Sequence, residues 1–196
     1  RYHYGQPAWL VVQALRLWPA PSASQRIRSW RVEVDGKLLP STGVDGFGNP
    51  VATHAIDRPV SALHLSVRAQ VETFDRSGVH GDDAGGLPPM FFLKPTPLTM
   101  PSPGIIALAE DSAGEGGSLD RLHRLANAVR DKVDYVSDTT HAETSAAEAF
   151  EAGTGVCQDH AQVLIAAARH LGYPARYVSG YLCPMEAGFP AASHAW

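Results

Sequence analysis

The stretch GTGVCQDH, residues 153–160, places a cysteine at the point where a helix is predicted to begin. Apolar residues recur at three- and four-residue spacing from there to Leu171, and Gly172 ends the pattern. The unpaired N–H groups and partial positive charge of a helix N-terminus stabilise a thiolate, the nucleophilic form of cysteine. Cys157 is therefore a candidate nucleophile for attack on a carbonyl carbon, and its backbone N–H is a candidate donor to the oxyanion.

A thiol nucleophile needs a base, and His194 is the candidate. It follows a strand pattern at residues 175–182 and a predicted loop at 184–190, and His194-Ala195-Trp196 resembles the start of another strand. An imidazolium beside Cys157 lowers the thiol pKa and later protonates the departing amine. The predicted catalytic residues are Cys157 and His194. A third group that would orient the imidazole is not visible after His194.

Other interpretations of these residues remain open. Many free cysteines are buried and inert. A metal site built from Cys157, His160 and His194 lacks any CxxC or HExxH spacing. A redox pair needs Cys183 within bridging distance of Cys157, whereas a packed thiol is the simpler interpretation of Cys183. Asp159, in the first predicted helical turn, fits a capping or dipole role better than the missing acid.

Several side chains near the predicted site have two interpretations each. Tyr177 and Tyr181 are predicted to share one face of a strand, where they either wall a cleft or pack in the core. Arg169 and Arg176 either contact substrate or serve the C-terminal end of the helix. His141 and residues 138–140 are predicted to be a surface loop.

Helical signals also precede the cysteine. Ser118 is a predicted N-cap, and apolar residues follow it at helical spacing. Ser145 and Glu148 form a capping-box pattern, and Gly153 is a natural end for that short helix. Residues 118–196 are therefore predicted to be a mixed domain of helices followed by strands.

The first part of the chain has a β pattern. Residues 30–34 and 63–71 alternate between apolar and polar side chains, and Asp35-Gly36 is a hairpin signal. We predict a β-sandwich-like domain over residues 1–76. A connector rich in proline and glycine is predicted over residues 77–117, and the apolar run at 90–93 is expected to anchor it to a domain surface.

Composition excludes several classes of function. The 196 residues are 44% hydrophobic and 18% charged, and 20 acidic residues against 16 basic ones give a net charge of −4. No basic run is present, so no nucleic-acid partner is predicted. No apolar run is long enough to span a bilayer. The two cysteines are too few for a disulfide framework, which favours a reducing, cytoplasmic setting.

Three blocks of sequence resemble the transglutaminase-like core of bacterial proteins, a papain-related fold. They are GVCQDHA at 155–161, AARHLGYPARYVSGY at 167–181 and SHAW at 193–196. The resemblance implies an α+β fold in which helices, one carrying the nucleophile, pack on an antiparallel sheet. Residues 1–76 are similar to the β-domain that often precedes this core. The family's acid follows its histidine further along the chain, so a C-terminally truncated core is expected here.

The resemblance also implies a reaction. Cys157 falls on the family's nucleophile and His194 on its base, and the implied chemistry is acyl transfer at amide bonds of a peptide or protein, with no metal or organic cofactor. Animal cross-linking enzymes have Gln and Trp around the cysteine, where this chain has Val156 and Gln158. That difference favours hydrolysis over cross-linking. The alternative is a catalytically inactive interaction module with the same fold.

Overall fold

The computed structural model describes residues 2–20, 22–79, 87–182 and 192–196. The chain divides into two compact units, Arg1–Leu87 and Pro88–Trp196. Each unit has its own apolar core. Cys183 and the predicted loop at 184–190 lie outside the described residues.

The first unit is built from antiparallel strands. They are β1 (Tyr2–Ala8), β2 (Val11–Leu15), β3 (Gln25–Val34), β4 (Lys37–Leu38), β5 (Gly43–Val44), β6 (Pro50–Ile56), β7 (Val60–Leu63) and β8 (Leu65–Thr73). The strands pair in the orders β2-β6-β5, β4-β3-β8 and β1-β7. An apolar core cluster of this unit is formed by the buried residues Val11, Leu15, Val34, Ile56, Val60 and Leu63.

The hairpin predicted at Asp35-Gly36 is present between β3 and β4. Asp35 and Gly36 have φ angles of 48° and 77°, and Val34 pairs with Lys37 across the turn. A type I′ turn requires positive φ values at both residues of a two-residue loop. Turns of this type are favoured in hairpins because their backbone twist matches the right-handed twist of the flanking strands. The Asp35 side chain adds a tertiary contact, because its Oδ1 accepts a hydrogen bond of 2.9 Å from the backbone N–H of His64.

The second unit contains the helices. Two 3₁₀ helices (Pro89–Leu93 and Pro97–Thr99) precede α1 (Pro103–Ala113), α2 (Ser118–Lys132), β9 (Asp134–Tyr135), α3 (Ala146–Ala152), β10 (Thr154–Gly155), α4 (Cys157–His170), β11 (Ser179–Leu182) and β12 (Ala192–Ala195). Strands β9 and β10 are parallel, and β11 and β12 are antiparallel. The core lies where α1, α2 and α3 pack around α4, which is buried along most of its length.

Helix α1 was not predicted, since the proline and glycine content of residues 77–117 indicated an irregular connector. The structure shows that the helix begins with ordinary signals: Ser102 caps it and Pro103 occupies its first position. The expected anchoring of the run at 90–93 is confirmed for Phe92, whose side chain is buried and whose carbonyl oxygen accepts a hydrogen bond from the Ala175 N–H, whereas Met90 and Phe91 are exposed.

The ends of the other helices follow their sequence signals closely. Helix α3 has the capping box of Ser145 and Glu148, and Gly153 ends it with a φ of 68°. Helix α2 begins one residue earlier than predicted, because its N-cap is Gly117 and Ser118 is already helical. The predicted α+β class is confirmed. Among the described residues, no helix combines the length and the apolar composition that crossing a membrane demands.

Candidate active site around Cys157

Cys157 is the first residue of α4, as predicted. Val156 is the N-cap, with extended backbone angles, and the Cys157 side chain is half-buried. The first N–H groups of a helix have no intrahelical acceptor. Within the part of the chain that the structure describes, the N–H of Cys157 donates no hydrogen bond. An accessible thiol therefore lies beside a free backbone donor at the positive end of a helix.

Asp159 caps this helix from within the core. Its side chain is fully buried, and its Oδ2 accepts hydrogen bonds from the backbone N–H of Val156 at 2.7 Å and from the Thr140 hydroxyl at 2.6 Å. Its Oδ1 is also buried and has no hydrogen-bond partner among the described residues. The interpretation of Asp159 as a capping residue is confirmed, since its carboxylate satisfies an N–H at the start of the helix.

Gly155 permits the close packing behind Cys157. A Cβ atom at this position would lie 2.6 Å from the Cβ of Asp159 and 2.8 Å from its Oδ2. Gly155 also belongs to β10, where it pairs with Tyr135 of β9. The glycine therefore lets one backbone segment pair with a strand on one side and touch a buried carboxylate on the other.

The loop between β9 and α3 lies at the surface, as predicted, and it also contacts the start of α4. The Thr140 hydroxyl donates to buried Asp159, and the Gln158 side chain donates to the carbonyl oxygen of His141 at 3.1 Å. Both contacts bind the loop to the first turn of α4. The sequence carries no local signal for them, because the partners are far apart along the chain.

His160 lies one turn after the cysteine and bridges two backbone carbonyl groups. Its Nδ1 is 3.0 Å from the carbonyl oxygen of Val156, and its Nε2 is 2.8 Å from that of Val133. The ring also stacks on Tyr135, with centroids 6.2 Å apart. His160 therefore connects the end of α2 with the residue that precedes Cys157.

His194 lies on β12, where it pairs with Gly180 of β11. Its ring meets the edge of the Trp196 ring with centroids 4.7 Å apart, and it is half-buried. Strand β12 packs against α4, so the elements that carry Cys157 and His194 are neighbours. In the structure as described, no hydrogen bond joins the thiol to this imidazole.

Tyr177 is electrostatically coupled to the nucleophile. Burial is the main cause that raises the pKa of its phenol, and the negative charges of Cys157 and Asp159 raise it further. The shared strand face predicted for Tyr177 and Tyr181 is only half correct, because β11 begins at Ser179. Tyr177 precedes the strand, and it is Tyr181 that lies on it.

Arg169 has a structural role. Its Nε and Nη2 donate to the carbonyl oxygen of Ala175 at 3.0 and 2.7 Å, and its Nη1 donates to the Thr99 hydroxyl at 2.9 Å. Burial lowers the pKa of the guanidinium. These bonds hold the segment after α4, which favours a structural role for Arg169 over a substrate contact. Arg176 lies over the Phe92 ring, 5.8 Å from its centroid.

The structure also bears on the interpretation of Cys157, His160 and His194 as a metal site. The described residues contain no group of three or more His, Cys, Asp or Glu side chains that could hold a metal ion. Cys157, His160 and His194 therefore do not form such a cluster. The redox interpretation depends on Cys183, which lies outside the residues described.

Comparisons with known proteins agree with this architecture. Residues 106–196 match the model of the transglutaminase-like superfamily, and residues 1–72 match the bacterial transglutaminase-like N-terminal region. An uncharacterised protein from Mycobacterium leprae (strain TN) is 28% identical over 208 residues, which cover 100% of this chain and 75% of that protein.

A solved structure shares the fold. The crystal structure of a "putative cysteine protease" from Cytophaga hutchinsonii aligns with a TM-score of 0.73 and 22% identity, covering 97% of this chain and 67% of that one. The predicted family and fold are therefore confirmed. Residues 106–196 are matched by the transglutaminase-like superfamily, and residues 1–72, which precede them, by the bacterial transglutaminase-like N-terminal region.

Proposed function

We propose that this protein is a cysteine enzyme that cleaves amide bonds of a peptide or protein through a thioester intermediate. The observation that carries the proposal is the position of Cys157: a half-buried thiol at the first residue of α4, beside its own free N–H. Helix N-termini lower the pKa of thiols, and a free N–H next to the sulfur can stabilise an oxyanion. The transglutaminase-like core supports the same chemistry.

The proposed reaction has two steps. His194 accepts the thiol proton, the sulfur of Cys157 bonds to the carbonyl carbon, and the C–N bond breaks as the His194 imidazolium protonates the departing amine. Water then attacks the thioester, which releases a carboxylic acid and regenerates the thiol. An amine in place of water gives a new amide. Val156 and Gln158, which differ from the residues of animal cross-linking enzymes, favour water as the acceptor.

The lack of a hydrogen bond between the two reacting groups motivates a second candidate, an inactive interaction module. No hydrogen bond between Cys157 and His194 is present in the described part of the chain. Catalytic hydrogen bonds are often long or poorly aligned in ligand-free sites and tighten only with substrate, so the enzyme requires this hydrogen bond to form when substrate binds. The module requires no such bond. The two candidates therefore differ in the reactivity of the thiol.

The rate of iodoacetamide labelling against pH separates the candidates. Peptide mass spectrometry reports Cys157 and Cys183 separately. An unperturbed thiol has a pKa of about 8.5, so rapid labelling of Cys157 at pH 6 identifies an activated thiolate. We expect His194→Ala to slow this labelling and His123→Ala, at an exposed histidine of α2, to leave it unchanged. Labelling that rises only near pH 8.5 in the unmodified chain supports the module and overturns the enzyme.

Once the thiol is shown to be activated, the acceptor is identified by product analysis. Reporter peptides are incubated with the protein, with and without a primary amine, and the masses of the products are measured by mass spectrometry. Release of free acid at all amine concentrations supports hydrolysis. A product that carries the amine shows acyl transfer. Cys157→Ser, which removes the nucleophile, is the control for both products.

A further inference from the structure

The ring of His160 faces two carbonyl oxygens, one at each ring nitrogen. Nδ1 lies 3.0 Å from the carbonyl oxygen of Val156, and Nε2 lies 2.8 Å from that of Val133. A neutral imidazole has one N–H and one lone pair, so one of these contacts would place a lone pair against a carbonyl oxygen. Only an imidazolium donates at both nitrogens. The geometry therefore favours the protonated ring.

The two carbonyl groups belong to segments that frame the nucleophile. Val133 ends α2, and Val156 immediately precedes Cys157. The N–H of Val156 is already held by Asp159, at 2.7 Å. Its carbonyl oxygen accepts from the backbone N–H groups of Asp159 and His160 as well as from the His160 ring. The residue before the nucleophile is therefore fixed on both its amide and its carbonyl side.

We propose that His160 is a positioning residue for Cys157, a charged clamp that joins the Val133 and Val156 carbonyl groups and fixes the start of α4. Side chains three positions apart share a helix face, so the clamp also places a positive charge within one turn of the thiol. Such a charge favours the thiolate. The inference rests on the proposed function for its role in catalysis, but the clamp itself is a structural statement.

Titratable residues flank the positions that the ring contacts on β9, on α4 and at the end of α2. Tyr135 of β9 stacks on it, and Asp134 precedes Tyr135 on the same strand. On α4, Cys157 and Asp159 lie within one turn of His160. The Asp159 carboxylate accepts hydrogen bonds from the Val156 N–H and the Thr140 hydroxyl. Lys132, at the end of α2, points its Nζ at the Phe150 ring at 5.3 Å from the centroid.

The protonation of His160 is tested directly by ¹⁵N NMR of histidine-labelled protein at pH 7. The signals of His160 are assigned by their loss in His160→Gln. We expect both ring nitrogens to carry protons in the unmodified protein. A spectrum with one protonated and one unprotonated nitrogen overturns the clamp. This measurement does not depend on any enzymatic activity, so it stands even if the proposed function fails.

The effect on the thiol is tested by the rate of iodoacetamide labelling of Cys157 at pH 6. We expect His160→Gln to lower this rate about tenfold, which corresponds to a rise of about one unit in the thiol pKa. His170→Gln is the matched control, because it makes the same change at an exposed histidine at the other end of α4. An unchanged rate in a folded His160→Gln protein overturns the positioning role.

The outcomes separate the two proposals. Slow labelling of the unmodified protein, together with a doubly protonated His160, overturns the proposed function and supports the clamp. Fast labelling with a singly protonated His160 does the reverse. Circular dichroism of His160→Gln establishes that it is folded; if it is not, His160→Phe keeps an aromatic ring for Tyr135 to stack on and removes both donors, and its labelling rate decides.

Discussion

The Oδ2 atom of Asp159 lies 2.7 Å from the backbone nitrogen of Val156, so a buried carboxylate holds the residue that precedes the candidate nucleophile. The same oxygen accepts the hydroxyl of Thr140 at 2.6 Å. One side chain therefore ties a loop and a helix start together. The geometry of the Cys157 backbone depends on this carboxylate although Asp159 takes no part in the proposed chemistry.

Asp159→Ala is expected to lower the free energy of unfolding by about 1–3 kcal/mol, because it leaves two partly buried donors, the Val156 N–H and the Thr140 hydroxyl, without their acceptor. Urea unfolding followed by circular dichroism at 222 nm measures the change. Asp131→Ala removes an exposed carboxylate from α2 and is expected to stay within about 0.5 kcal/mol. Equal stabilities of the two variants would contradict the capping role of Asp159.

Gly155→Ala is expected to destabilise the second unit by about 1–3 kcal/mol, since the new Cβ would lie 2.6 Å from the Cβ of Asp159. The backbone must move to relieve this contact, which also disturbs the pairing with β9. Gly117→Ala is the comparison, because a Cβ atom at Gly117 would lie 3.7 Å from the Asp120 carboxylate, which is an ordinary van der Waals contact. The melting temperatures of both variants are measured; a Gly155→Ala protein as stable as Gly117→Ala would refute the prediction.

Cys157→Ser is expected to lower the pKa of Tyr177. A negative charge at Cys157 disfavours the phenolate, so its loss makes the phenol easier to ionise. Because burial is the larger cause of the raised pKa, the value is expected to stay above that of an ordinary tyrosine. NMR titration of ¹³Cζ-labelled tyrosine, with Tyr177 assigned by Tyr177→Phe, measures the shift. An unchanged pKa would show that Cys157 carries no negative charge near Tyr177.

Arg169→Lys is expected to destabilise the protein by about 1–3 kcal/mol. A lysine ammonium cannot reproduce the planar guanidinium, which donates to the Ala175 carbonyl oxygen and to the Thr99 hydroxyl at the same time. Arg130→Lys, at an exposed arginine of α2, is expected to have little effect. The labelling rate of Cys157 should be the same in both folded variants. Slower peptide cleavage by Arg169→Lys at unchanged stability would instead point to a contact with substrate.

Much of the helical part of the fold could be predicted because its signals are local. A few neighbouring residues are enough to indicate each of three helix ends: the capping box at Ser145, the end of α3 at Gly153 and the start of α4 at Cys157. The turn at Asp35-Gly36 is local in the same way. Such signals act through one turn of backbone, so neighbouring residues suffice to identify them.

The contacts behind the nucleophile could not be predicted, because their partners are distant along the chain. Thr140 contacts Asp159 over a separation of 19 residues, and His160 contacts Val133 over 27 residues. Helix α1 had a local signal in Ser102 and Pro103, but the surrounding prolines and glycines concealed it. The pairing of Cys157 with His194 remains a prediction, which the labelling experiment tests.

The parallel pairing of Asp134–Tyr135 with Thr154–Gly155 has a consequence for folding. The loop between the two strands contains α3, and closing it costs chain entropy before any contact is gained. We therefore expect the backbone turn at Cys157 to form together with the helical core and to melt together with it. A short peptide with the sequence GTGVCQDH retains every residue of the motif but lacks the neighbouring strand and buried loop that orient the thiol.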